Sequence, residues 1–175
     1  MDVGIFESLQ QIRDKFGPGV FGKITQKLLA LAFYDAGFDH VVEREVQGVD
    51  IDAAGGDAGE YALEVKTAEG ESVPISRENI DALKDRAKDG YTPVVAALRI
   101  KMFEDWIFSG IPLSRLRPGS IPFSQLQSYR MMELEKLIRP TFEKVVNQHF
   151  SNVLTKGKHY LNGILVQKRE ECSLK

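Results

Sequence analysis

The chain has a single cysteine, Cys172, close to its C-terminal end. One thiol forms no internal disulfide and supplies no Cys-rich zinc pattern, which is the usage of a reducing compartment. Long apolar runs are also missing, and so is the basic-then-apolar opening of a secretion leader. A protein of the cell interior (cytoplasmic), with no membrane partner, is expected. Neither sign of charge dominates, since 23 Lys and Arg face 25 Asp and Glu. Any contact with a polyanion must therefore come from local patches rather than from overall charge. The three histidines, His40, His149 and His159, are far apart, and none adjoins a nucleophile motif. Each is expected at the surface. Gly55-Gly56 lacks the Gly-Lys-Ser/Thr ending of a phosphate loop. Hydrolysis through a Ser or Cys nucleophile and nucleotide binding by a phosphate loop both find no support.

What is present centres on Gly48 to Thr67, GVDIDAAGGDAGEYALEVKT. Val49, Ile51 and Ala53 alternate with Asp50 and Asp52, and Leu63 and Val65 alternate with Glu64 and Lys66. Strand side chains point alternately to opposite faces, so each run has one apolar and one charged face. The intervening AGGDAG is a turn by composition. A hairpin would gather Asp50, Asp52, Glu64 and Lys66 on one side. Three carboxylates so close repel one another unless a cation lies among them, and oxygen ligands suit a hard ion such as Mg²⁺. A half-exposed hairpin with solvent on one face shows the same alternation. Two features favour the cation. Aspartate is depleted in strand interiors yet occurs here twice on one face, and the lysine follows the glutamate at the next same-face position.

Asp50, Glu64 and Lys66, as V-D…E-V-K, resemble the signature of the PD-(D/E)XK nuclease superfamily. That group includes many restriction endonucleases, the archaeal Holliday junction resolvases and the Mrr-like nucleases. The resemblance runs from about Gly22 to Gly110, with Val49 in place of the usual proline. It implies an α/β (α+β) restriction endonuclease-like αβββαβ core, with a mixed central sheet flanked by helices. It implies Mg²⁺ or Mn²⁺ held by Asp50, Glu64 and the carbonyl of Val65, with Asp52 as a further ligand or outer partner. Lys66 would orient the attacking water or stabilise charge on the phosphate. The helical acidic position of the pattern falls on Gln26, which would position a water without adding charge. DNA is the implied partner and a homodimer the implied assembly. A nuclease-fold protein that binds DNA or assembles without catalysis is the alternative, and Gln26 is its best support.

The remaining elements follow from periodicity. Met1 to Phe16 reads as a helix, apolar at helical spacing from Val3, and stops at Gly17-Pro18-Gly19; a second helix spans Gly22 to Ala36. Lys23 and Lys27 flank Gln26 and are candidate DNA phosphate contacts. Phe38 to Val46 should be a strand, with Glu43 and Glu45 as spare carboxylates. Ala68 to Pro74 reads as a loop, and Ser76 as the cap of a helix that ends before Gly90. Thr92 to Ile100 is a buried strand by its β-branched run, and Glu104 to Phe108 another, anchored by Trp106. Residues 1–110 form the expected nuclease-like core. Residues 111–175 form a C-terminal helical appendage and tail, packed on the core or dimerising. Ser109 to Pro122 leads into it as an irregular connector, Ser124 to Phe150 is helical with a break at Pro140, and Ser151 to Lys175 holds a final strand or hairpin with a basic rim.

Overall fold

A computed structural model of the chain describes residues 1–44, 48–100 and 105–173. The expectations placed on Glu45 and Glu104 fall outside those residues. Helix α1 (Val3–Asp35) starts where Asp2 accepts a hydrogen bond from the backbone N–H of Gly4 at 2.9 Å. The two helices expected from the sequence run on as one element with a kink. Gly17 takes a left-handed φ of 75°, and Pro18 restarts the helix where its missing N–H is not needed. Beyond the kink the helix is buried over much of its circumference, through Phe21, Ile24, Leu28, Leu31 and Phe33.

Strands β1 (His40–Glu43), β2 (Ile51–Gly55), β3 (Gly59–Ala68), β5 (Thr92–Arg99) and β6 (Ile107–Ser109) form one sheet in the order β1-β2-β3-β5-β6. Its pairs are antiparallel except β3 with β5, which are parallel. The chain crosses between these two through β4 (Ser72–Ile75) and helix α2 (Arg77–Lys88). The alternation in β3 splits the molecule. Leu63 and Val65 join Ile51, Ala53, Val94 and Ala96 in the core beneath α1. Ala62 joins Val95, Ala97, Ile80 and Leu83 beneath α2 on the opposite face. Glu64 and Lys66 lie in register with Val95 and Ala97, so their side chains emerge on the α2 face.

Five sequence expectations are corrected. The stretch from Ala68 to Pro74 is not wholly a loop, because Ser72–Ile75 is β4. It pairs antiparallel with β7 (Gly119–Pro122), inside the supposed irregular connector. Each is four residues long, and the pairing joins segments almost fifty positions apart, which no local pattern encodes. Helix α3 (Phe123–Gln127) follows, and then α4 (Met132–Lys156) runs through Pro140 unbroken. A proline inside a helix costs roughly 3 kcal/mol. Burial of Ile138, Phe142, Val145 and Val146 against α1 offsets it at about 1.5–3 kcal/mol per side chain. The last segment is neither strand nor hairpin but helix α5 (Lys158–Ser173). Leu161 and Leu165, four apart, are its buried face, and Gly157 at φ 66° makes the sharp turn from α4. Buried side chains of α4 and α5 belong to the same apolar core as α1 and the sheet. Trp106 ties β6 to this layer, edge-on to Phe142 with ring centroids 5.6 Å apart. His149 is also buried, contrary to expectation, and its Nδ1 lies 2.9 Å from the Tyr160 hydroxyl. Among the described residues no helix is long and apolar enough to cross a membrane.

Candidate active site

The β2–β3 hairpin forms with Ile51 opposite Leu63, so Asp50, one residue before β2 begins, falls beside Glu64. There Asp50 Oδ2 accepts a hydrogen bond from the backbone N–H of Val65 at 2.8 Å. In an extended strand a residue's N–H and C=O point to the same side. The Val65 carbonyl is therefore directed into the gap where β2 has run out. Lys23, from the segment of α1 beyond the kink, places its Nζ 3.8 Å from Asp50 Oδ1.

Glu64 is buried, at 2% side-chain exposure. Its Oε1 accepts from Lys66 Nζ at 2.6 Å, while Oε2 has no hydrogen-bond partner among the described residues. Burial first, and then the neighbouring charge of Asp50, push this carboxyl up to about 7, against the opposing pull of the Lys66 ammonium. A buried acid whose second oxygen has no donor, next to another carboxylate, is in an environment that a cation would relieve. Two carboxylates and a strand carbonyl are all hard oxygen donors and fit a divalent cation of the Mg²⁺ type, which keeps its remaining positions for water and phosphate. The described residues contain no cluster of three or more acidic, His or Cys side chains able to hold an ion. Asp50 and Glu64 are thus the acidic pair of this site.

The other expected site residues are positioned differently. Asp52 lies on the same strand face, but both its oxygens are taken. Arg44 reaches Oδ2 at 2.6 Å and Arg86 Nε donates to Oδ1 at 2.9 Å. Arg86 in turn lies 4.0 Å over the ring of Tyr91. Paired with two guanidinium groups, Asp52 fastens the hairpin to α2 rather than facing the cation site. Asp52→Asn is expected to remove about 2–3 kcal/mol of stability, below the usual figure for breaking a buried pair because both arginines are partly solvated. Thermal unfolding should show it as a drop of roughly 5–10 °C. Any metal-dependent activity per folded molecule should stay close to wild type.

Gln26 is buried. Its Nε2 donates to Glu43 Oε1 and to the Arg44 carbonyl, each at 2.7 Å, with the Asp50 carbonyl at 3.4 Å, and its Oε1 accepts from Lys23 at 3.1 Å. Both amide hydrogens are bonded within the protein, so Gln26 joins the end of β1 to the backbone that enters β2. Lys27, read as a phosphate contact, is only 2% exposed and bonds Glu43 Oε2 at 2.9 Å. A buried ammonium that neutralises Glu43 does not meet DNA, and Glu43 is accordingly no spare ligand. Lys23 keeps a partly exposed side chain at the rim, beside Asp50. The residue that the sequence reading missed is Asn79, at the third position of α2. Its Oδ1 lies 3.3 Å from Lys66 Nζ. The sequence marks it only as a helix-start residue three after Ser76; its reach to β3 depends on how α2 docks.

No protein-family model matches the chain, and no curated protein matches it. Among solved structures, it is similar to Hjc, a Holliday junction resolvase from the archaeal hyperthermophile Archaeoglobus fulgidus. The TM-score is 0.53 at 21% sequence identity, over 66% of this chain and 95% of that one. The likeness is one of fold: a mixed five-stranded sheet flanked by helices, of the restriction endonuclease-like kind.

Proposed function

We propose that this protein is a metal-dependent deoxyribonuclease, an endonuclease that hydrolyses DNA phosphodiester bonds with Mg²⁺ or Mn²⁺, on branched or specific duplex DNA. The observation that carries the proposal is the convergence of Asp50, Glu64 and Lys66, with Glu64 Oε2 buried and without a hydrogen-bond partner among the described residues, in a fold similar to that of a junction resolvase. Asp50, Glu64 and the Val65 carbonyl would hold the ion. When bound, it supplies Lewis-acid polarisation of the scissile phosphate and a more acidic water. The Val65 N–H bond keeps the Asp50 carboxylate turned toward Glu64. Lys66, 20% exposed, presents its ammonium where negative charge grows on the phosphate oxygens. Lys23, at the rim, offers a further cation to a neighbouring phosphate. A homodimer would set two such sites against two strands.

The test is cleavage of supercoiled, four-way-junction and flap DNA with Mg²⁺, Mn²⁺ or chelator. Metal-dependent nicking is expected, and Asp50→Ala should lower its rate on the order of 10²-fold or more. A second reading, a nuclease-fold DNA-binding protein without catalysis, draws on Gln26 standing at the acidic position with both amide hydrogens bonded within the protein. Intact DNA with every metal and substrate, together with retained salt-dependent binding, would select it.

A further inference from the structure

We infer that Asn79 is the positioning residue of this site, holding the Lys66 ammonium from the first turn of α2; the inference rests on the nuclease reading above. Lys66 Nζ has two acceptors. Glu64 Oε1 lies at 2.6 Å and Asn79 Oδ1 at 3.3 Å. The same Asn79 oxygen accepts the backbone N–H of Ser76 at 3.0 Å, and the Asn79 N–H returns a bond to Ser76 Oγ at 3.1 Å. Both partners of Oδ1 are donors, so the amide orientation is determined by its neighbours. The oxygen that closes the capping box of α2 therefore also holds the lysine.

The choice of residue matters. Capping boxes ordinarily carry Glu or Gln at this position. A carboxylate there would pair with the ammonium and cancel the charge meant for the phosphate. Asn79 holds the lysine through a neutral acceptor and adds no further negative charge to the one Glu64 supplies. Its grip also does not depend on Glu64. A cation at Glu64 competes with Lys66 for that carboxylate, and Asn79 then keeps the ammonium beside the site. The helix supplies rigidity, because Ile80 and Leu83 bury α2 against the sheet.

The test compares Asn79→Ala, Asn79→Asp and Ser76→Ala. Asn79→Ala should lower kcat for DNA cleavage about 10- to 100-fold through misplacement of the lysine, with KM for DNA within two-fold. Asn79→Asp keeps the helix cap and the wild-type melting temperature, yet should also lose kcat. Ser76→Ala removes the other half of the box, weakens the helix start, and should leave kcat within two-fold. A second readout needs neither metal nor DNA. The NMR order parameter of the Lys66 ammonium in the metal-free protein should fall in Asn79→Ala and hold in Ser76→Ala. Equal losses of kcat in the alanine variants would reduce Asn79 to a helix cap and overturn the inference, as would an unchanged order parameter. A wild type that cleaves nothing removes the nuclease reading, while the NMR comparison still decides whether Asn79 holds Lys66.

Discussion

Glu64→Gln is expected to raise the melting temperature of the metal-free protein at pH 8 while abolishing metal-dependent cleavage. The Glu64 carboxyl is pushed from 4.5 up to about 7 in the folded chain, chiefly by burial and then by Asp50. Below the unfolded value of 4.5 the group is protonated in both states and carries no penalty. Between 4.5 and 7 the unfolded chain releases the proton and the folded chain keeps it, so stability falls as pH rises. Above 7 the fold bears the full penalty, ~3 kcal/mol at about 1.4 kcal/mol per pH unit. Glutamine has no such penalty, but its carbonyl offers Lys66 only a neutral acceptor. The net gain is therefore about 2 kcal/mol, or roughly 4–8 °C for a chain of this size. The difference between the two proteins should vanish near pH 4, and added Mg²⁺ should stabilise the wild type and not the variant. Equal melting temperatures at pH 8 would remove the claim that Glu64 sits strained in the absence of a cation.

Lys66→Met is expected to lower the cleavage rate at saturating DNA by about 10²–10³-fold, the usual effect of removing one charge-stabilising donor. DNA affinity should change little, because one partly exposed ammonium contributes one phosphate contact among several. Metal affinity should hold or rise, since Glu64 Oε1 is released from its 2.6 Å bond to the lysine. Lys66→Arg should fare poorly too, because a planar fork does not fit the place of a compact ammonium between Glu64 and Asn79. Single-turnover cleavage alongside filter binding separates these effects. Nicking at the wild-type rate by Lys66→Met would exclude the lysine from the chemistry.

Both results express one trade-off. The site places a carboxylate where water barely reaches, and among the described residues one of its oxygens has no donor. On the proposed reading, that arrangement would destabilise the empty fold and prepare it for a cation, as strain at functional sites commonly does.

The hairpin and its acids were legible because strand geometry is local. A side-chain period of two puts Asp50, Glu64 and Lys66 on readable positions, and AGGDAG marks the turn between them. The capping box at Ser76 was legible for the same reason, being a contact over three residues. Asp52 shows where that logic ends. It shares the strand face of Glu64, yet Arg44 and Arg86 claim it, and Arg86 arrives from a helix 34 positions away. Gln26 and Lys27 fit the expected motif by spacing, but the docking of α1 on β1 turned both toward Glu43. The final helix was mistaken for a strand because LNGILV is too short a run for periodicity to separate the two.

The sequence by itself therefore determined which residues make up the candidate site: two acids and a lysine held at fixed spacing by a strand, and a helix start at Ser76. Tertiary structure alone decided which of the candidate acids and bases remain available. A charge enclosed by opposite charges, as Asp52 is by two arginines, is committed to the fold, and that depends on contacts between segments far apart in the chain.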